Sequence, residues 1–290
     1  MIIVITGPTC LGKSQTAIEV AKKFNAEIVN GDAFQAYQEI DIGVAKPTID
    51  ELAQAKHHLY SYRPVDKPFS IAAYQSDLRQ EISSILSEDK NVVIVGGSGL
   101  YIRAALYDYK FNDEEVFDTS IFDNDTNESL YQKLTSVDPL EAKKIHPNNR
   151  KRLIRALVIF ETQNKRKSEI VMEQKHEPIF DDVFFYVRDM PRDELYERIN
   201  KRVDEMMAEG LLEEVKTIYL KYGPDIQSMQ AIGYKEFVNF FNNHCSLEET
   251  VNLIKQHTRN YAKRQMTFIR HQFPVVFYKD NEDLIRLISC

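Results

Sequence analysis

Gly7 to Ser14 read G-P-T-C-L-G-K-S, a G-x-x-x-x-G-K-[ST] loop. Such a loop turns successive backbone N–H groups and the positive end of a helix toward a phosphate. Its lysine adds a full charge, and its last hydroxyl can ligate Mg²⁺. Gly7, Pro8, Thr9, Cys10, Leu11, Gly12, Lys13 and Ser14 are therefore candidate phosphate-binding residues, with Ser14 the candidate Mg²⁺ ligand. Cys10 is either a thiol activated by the helix end or a filler of a small site. Asp32 follows a short apolar run, which puts it at the carboxyl edge of a sheet, where ligands of open parallel folds bind. A carboxylate there can hold a metal, accept a proton or cap a helix. Gly96-Gly97-Ser98-Gly99 is neither a nucleophile elbow nor a dinucleotide fingerprint, because Leu100 and Ile102 stand where glycines are required. It offers a second close backbone approach to a ligand.

Two stretches lack acidic residues. Lys143 to Arg155 carries six lysines and arginines, and Lys255 to His271 carries five, with Tyr261 and Phe268 interleaved. Both read either as solvated helix faces or as footprints of a polyanion such as RNA.

These residues need a scaffold. Ile2 to Ile5 is a continuous apolar run, the mark of a buried parallel strand. Gln15 to Phe24 has helical spacing, with Ala17, Ile18, Ala21 and Phe24 on one face. Strand, glycine loop and helix is the context that a phosphate loop requires. Glu27 to Val29 and Asn91 to Val95 read as further strands, and Ser70 caps a helix carrying Ile71, Tyr74, Leu78, Ile82 and Ile85. Residues 112–127 are acidic and weakly periodic, a boundary. Glu128 to about His176 is helical, Phe184 to Val187 reads as a strand, and Leu195 to Tyr219 and Leu247 to His271 read as two long helices. The expected fold is α/β: a parallel sheet core of the P-loop nucleoside-triphosphate-hydrolase type, residues 1–111 and 181–290, interrupted by a helical insertion over residues 112–180.

With 290 residues, 43% of them hydrophobic, the chain can bury a sizeable core. A net charge of −7 argues against a general nucleic-acid binder but leaves room for local basic faces. Cys10, Cys245 and Cys290 form no C-x-x-C pair, which suits a reducing compartment. The apolar start is too short for a signal peptide, and no apolar run is long enough to span a bilayer. A cytoplasmic protein without membrane association is expected.

The motifs taken in order resemble the bacterial tRNA dimethylallyltransferase (tRNA isopentenyltransferase) family from one end of the chain to the other. Its G-P-T-A-[SG]-G-K-[ST] is matched by Gly7 to Ser14, and its D-S-x-Q-x-Y and D-I-G-T-A-K-P by Asp32 to Tyr37 and Asp41 to Pro47. Its G-G-T-G-L-Y is Gly96 to Tyr101, and its I-H-P-N-[DN]-x-x-R-x-x-R-A-L is Ile145 to Leu157. Its Q-A-I-G-Y-K-E is Gln230 to Glu236, and its T-R-x-[LY]-A-K-R-Q is Thr258 to Gln265.

The resemblance implies that the loop cradles the diphosphate of dimethylallyl diphosphate, with Mg²⁺ on Ser14. It further implies transfer of the five-carbon group to N6 of the adenine 3′ of a tRNA anticodon, position 37. In that scheme Asp32 is the general base, Thr9 positions the reacting ends and Arg202 stabilises the leaving diphosphate. Asp32, Ala33, Phe34, Gln35 and Ser98 contact the flipped base and its neighbours. Lys151, Arg152, Leu153, Ile154 and Arg155 form the anticodon-loop segment. Family behaviour implies a monomer.

The chain departs from the pattern at Ala33 and Val44, which lack the usual hydroxyls, and at Leu11, where a small residue is usual and a tighter loop is expected. The 112–127 stretch is shorter than the family's, which implies an insertion with one helix fewer. A small-molecule P-loop kinase would explain the loop but not the basic stretches. An adenylate isopentenyltransferase would not need a basic insertion, and an RNA-binding module without chemistry would not need Asp32.

Overall fold

The computed structural model describes residues 1–111, 117–173 and 176–289. Residues 112–116 of the acidic stretch lie outside that set. The chain divides into two compact units, Met1–Leu106 with Phe180–Cys290, and Tyr107–Ile179. The division falls after Leu106 rather than after residue 111. Tyr107 bridges to Pro178, and the Asp108 N–H donates to the Glu177 carbonyl, so these residues close the second unit on itself.

The first unit alternates strands and helices: β1 (Ile2–Thr6), α1 (Lys13–Lys23), β2 (Ala26–Asn30), α2 (Ile49–Leu52), β3 (His57–His58), α3 (Ile71–Ser87), β4 (Asn91–Gly96) and α4 (Gly99–Leu106). The second unit supplies α5 (Asn127–Val137), α6 (Pro139–Ala142), α7 (Arg150–Gln163) and α8 (Lys167–Glu173). The first unit resumes with β5 (Val183–Arg188), α9 (Arg192–Glu209), α10 (Leu211–Tyr222), α11 (Phe237–Phe241), α12 (Leu247–Gln272), β6 (Val275–Tyr278) and α13 (Asn281–Ser289).

The sheet has the order β3-β2-β4-β1-β5-β6, and every pair is parallel. All five residues of β1 are buried. That is why IIVIT reads as an unbroken apolar run: helices cover both faces of a parallel sheet. The core under α1 joins Ile3, Ile5, Ile18, Ile28 and Val93. With β1 central, the phosphate loop leaves the sheet's carboxyl edge between β4 and β5, and Asp32 leaves the same edge two positions away.

Two expectations change. The long helix over 195–219 is broken, because Gly210 at φ +105° ends α9 and starts α10. A sixth strand follows α12: VVFY is a short apolar run, yet only Tyr278 of its four residues is buried. No helix among the described residues is long and apolar enough to cross a membrane.

In the second unit Leu130, Leu134, Leu153, Ala156 and Leu157 form the core, with Ile154 packed against it. Leu153 is fully buried, so it is corrected from a contact residue to a core residue. The helical period puts it on the inner face of α7, while Lys151, Arg152 and Arg155 lie on the exposed side.

Candidate active site

α1 starts at Gly12, which has φ +75° and offers no side chain to cap the first turn. A helix start of this kind leaves N–H groups to be satisfied by an anion. The Lys13 Nζ folds back and donates to the Pro8 carbonyl at 2.7 Å. Ser14, in the first turn, is half-buried. Thr9 Oγ1 lies 3.8 Å from Cys10 Sγ. Burial pushes the Cys10 thiol up, against the Thr9 hydrogen bond and the Lys13 and Arg202 charges that pull it down. Cys10 packs against the cluster around Leu11, and the upward push on its thiol favours the space-filling reading over the activated one. The same balance brings Arg202, on α9, within electrostatic range of the loop, and its own acidic neighbours Glu205 and Glu209 are 3.9 and 3.7 Å away.

Leu11 fills the space beside Gly7, where an added Cβ would stand 2.8 Å from its Cδ1. It is 1% exposed and also packs on Leu195 and Ile199 of α9 and Ala262 of α12. Arg188, at the end of β5, reaches the Leu11 carbonyl at 3.4 Å. The loop is thus pinned from outside by an aliphatic anchor and an arginine that the local pattern did not reveal. Leu11→Ala should cost about 3 kcal/mol of stability, the range for deleting a buried leucine. A urea titration reads that cost; a change below about 1 kcal/mol would show that the anchor is not tightly packed.

Asp32 sits in a turn. Asn30 Oδ1 accepts from its N–H at 2.8 Å, and its own Oδ1 accepts from the Phe34 N–H at 3.0 Å. The Ser98 hydroxyl accepts from the Ala33 N–H at 3.1 Å and also bonds to the Asp32 carboxylate. Burial raises the Asp32 carboxyl above its ordinary value; the Phe34 N–H, the Lys13 charge and Ser98 oppose that rise. Burial lowers Lys13, and the Asp32 charge is the main force holding it up. Asp32 and Lys13 therefore share one field, and both remain partly accessible to solvent.

Beside Ser98 lies a cavity of about 270 Å³, walled by Phe34, Tyr37, Phe69, Tyr101, Tyr261 and Phe268. Its size and aromatic walls suit a flat base or a branched five-carbon chain. Burial, and then the Asp32 charge, push the Tyr261 phenol up. α12 forms this wall by close approach. The Gln265 amide donates to the Gly97 carbonyl at 2.9 Å, and a Cβ on Gly97 would stand 2.1 Å from that amide nitrogen.

The basic part of α12 is only partly free: Lys263, Arg264 and Arg270 are exposed, while two cations are engaged by α9. Lys255 pairs with Asp204 at 2.6 Å, and Arg259 donates to Asn200, both on α9. Arg270 lies over Phe277 at 5.4 Å. Arg264, over Tyr261, borders the cavity instead. Gln35 donates to the Val44 and Ala45 carbonyls at 2.9 and 3.0 Å, so its amide nitrogen is turned onto its own chain. Because residue 44 contributes its carbonyl there, valine in place of threonine leaves this contact intact. The structure thus brings Thr9, Lys13, Asp32, Ala33, Phe34 and Ser98 to one edge of the first unit. Lys151, Arg152 and Arg155 belong to the second unit. Arg188 carries no local signal in the sequence, whereas Tyr261 and Phe268 stand out there only as aromatics interleaved on a basic helix.

Among the described residues, no group of three or more His, Cys, Asp or Glu is placed to hold a metal ion. The donors at the loop suit a cation held jointly by one hydroxyl and the phosphates themselves.

The family model for IPP transferase matches residues 35–272. A Bacillus subtilis (strain 168) protein named tRNA dimethylallyltransferase is 44% identical over 283 residues, covering 96% of this chain and 90% of that protein. A Bacillus pumilus protein of the same name is 42% identical, covering 96% and 89%. The crystal structure of a tRNA delta(2)-isopentenylpyrophosphate transferase from Staphylococcus epidermidis is similar with a TM-score of 0.74 and 38% identity, over 99% of this chain and 97% of that one. A eukaryotic dimethylallyltransferase acting on tRNA is similar with a TM-score of 0.82 and 27% identity, over 99% and 77%.

Proposed function

This chain belongs to the IPP transferase family, and from that premise we propose that it moves the dimethylallyl group of dimethylallyl diphosphate to N6 of the adenine at tRNA position 37, 3′ of the anticodon. It is a prenyl transferase acting on tRNA. One observation carries the finer reading: Asp32 shares the field of the phosphate-loop Lys13 and bonds to Ser98, which lines an aromatic, base-sized cavity.

An exocyclic adenine amine is a weak nucleophile, so the allylic carbon must become strongly electrophilic. The uncapped start of α1, Lys13 and Arg202 stabilise the charge that grows on the diphosphate as the C1–O bond breaks. Thr9 lies in the same loop and aligns the departing oxygen. Ser14 is the residue that would hold Mg²⁺, which when bound neutralises diphosphate charge as a Lewis acid. The adenine leaves its stack and enters between aromatic walls. N6 forms the new bond to C1 and gives its proton to Asp32, whose raised proton affinity suits a base. Ser98 fixes that carboxylate against Ala33. Lys151, Arg152 and Arg155 supply phosphate contacts, the sequence-independent part of RNA binding. A cytoplasmic, monomeric enzyme completes this reading.

The test incubates the protein with radiolabelled dimethylallyl diphosphate, Mg²⁺ and, in separate reactions, unmodified tRNA, AMP and ATP. Label on the adenine beside the anticodon is expected. Label on AMP alone, or turnover of ATP without label on tRNA, would overturn the assignment.

A further inference from the structure

Three consecutive backbone N–H groups converge on one side chain outside the cavity. Glu214, in the first turn of α10, accepts from Asp41 N at 2.8 Å, Ile42 N at 2.9 Å and Gly43 N at 3.1 Å. A fourth donor, the Tyr234 hydroxyl, reaches the same carboxylate at 2.5 Å. Among the described residues no lysine or arginine bonds to this carboxylate, although Lys46 lies within electrostatic range of it. Tyr234 is fully buried, and a Cβ on Gly43 would stand 2.4 Å from its ring, so the loop lies flat on that ring. Lys221 and Tyr222, at the other end of α10, hold the Glu39 carboxylate at 2.8 Å each. α10 therefore grips residues 39–43 at both of its ends.

An acid in the first turn of a helix also suits the helix dipole. That effect is met equally by the exposed neighbour Glu213, so it does not account for a loop folded around Glu214. A row of N–H groups needs acceptors. Within its own segment the loop supplies only the Ala45 to Ile42 and Lys46 to Asp41 backbone bonds.

The grip passes on to the cavity. Lys46 bonds to the Asp41 carboxylate at 2.7 Å and to the Tyr37 carbonyl at 2.5 Å, with its side chain only 6% exposed. Gln35 is held by the carbonyls of Val44 and Ala45. Tyr37 walls the cavity, and Gln35 follows the Phe34 N–H that bonds to Asp32.

We propose that Glu214 is a positioning residue for the acceptor side of the reaction. By fixing residues 41–43 it holds Gln35 and Tyr37, sets the cavity wall that meets the acceptor, and so governs recognition of tRNA without touching the diphosphate. The inference rests on the reading of this cavity as the acceptor pocket. Wild-type transfer to tRNA tests that reading on its own.

The test compares wild type with Glu214→Gln and Glu214→Ala, varying each substrate at saturating levels of the other. Glu214→Gln keeps the shape but replaces one accepting oxygen with a donor. Loss of charge-assisted bonds of this kind corresponds to roughly a tenfold rise in KM for tRNA, with a larger rise for alanine. KM for dimethylallyl diphosphate should stay within about twofold, since the 7–14 loop does not share these bonds. Amide hydrogen exchange should quicken at Asp41, Ile42 and Gly43 and stay unchanged at Gly12 to Ser14. Tyr234→Phe, which removes one donor and leaves the loop N–H bonds, should raise KM for tRNA by less than the glutamine variant. An equal rise in both KM values alongside a fall in melting temperature would make Glu214 a general stability residue and overturn the proposal. Unchanged kinetics in Glu214→Gln would overturn it as well.

Discussion

Asp32→Asn should lower kcat for transfer to tRNA by about 10²- to 10⁴-fold, the range for a lost general base, while leaving the fold at least as stable at neutral pH. Asparagine keeps an oxygen to accept from the Phe34 N–H, so the turn survives while the base, and the charge it sets beside Lys13, are removed. The stability arm follows from linkage. Burial raises the Asp32 pKa in the folded state above its unfolded value. Relative to the unfolded chain, folding therefore favours the protonated carboxyl, and stability present at low pH is lost as pH rises through the folded value. At neutral pH the ionised carboxylate is a liability that asparagine relieves. The wild-type kcat/KM should fall on the acid side at a higher pH than an ordinary aspartate would give, because the base must be ionised to act. Stopped assays from acid to neutral pH, with denaturant titrations of both proteins, read all three effects. A variant that keeps more than about a tenth of wild-type kcat would remove Asp32 from the proton transfer. One that is active but unstable would make it a structural cap.

The legible parts of the molecule are those whose physics is local. A parallel strand covered on both faces must be apolar throughout, so Ile2–Thr6 and Asn91–Gly96 announced themselves. The phosphate loop is eight contiguous residues whose backbone does the work, and Ser70 caps α3 through a bond to Ala73 three residues on. What stayed hidden depends on partners far along the chain. Val275–Tyr278 is a short apolar run that can be strand or helix until β5 is seen beside it, and at this edge of the sheet only Tyr278 is buried. Lys255 and Arg259 looked like cations seeking phosphate because Asp204 and Asn200, which engage them, lie more than fifty positions earlier. Leu153 and Ile154 sat inside a basic motif, and only the helical period separates their inward face from that of Lys151 and Arg152. Asp32 was found at the edge of the sheet, but its link to Ser98 joins two different strand ends and needed the fold. The break at Gly210 was readable in principle: glycine inside a helical pattern lowers helix propensity, and two amphipathic runs on either side can mask it.

The second large effect is expected at Lys13, and its form depends on Asp32. Lys13→Ala should lower kcat/KM for dimethylallyl diphosphate by on the order of 10³-fold, comparable to removing a charge-stabilising donor from a preorganised site. In the unliganded loop the ammonium is satisfied by the Pro8 carbonyl. Binding a diphosphate exchanges that neutral acceptor for an anion, and the gain grows as the leaving group gathers charge. Lys13→Arg restores charge but not the compact point donor that folds onto Pro8, so only partial rescue is expected. The Lys13 charge also lowers the Asp32 pKa, so removing it must raise that value further. The acid limb of the pH profile should therefore move upward in Lys13→Ala, although the lysine is not itself the group that titrates there. Conversely, Asp32→Asn takes away the main charge supporting protonated Lys13, whose pKa burial already lowers. Each single variant thus damages both functions, and the double variant should lose less than the product of the two single losses. Additive losses, or an acid limb that stays in place in Lys13→Ala, would mean that leaving-group stabilisation and proton removal occur in separate fields, and that the carboxylate serves some purpose other than the base of this transfer.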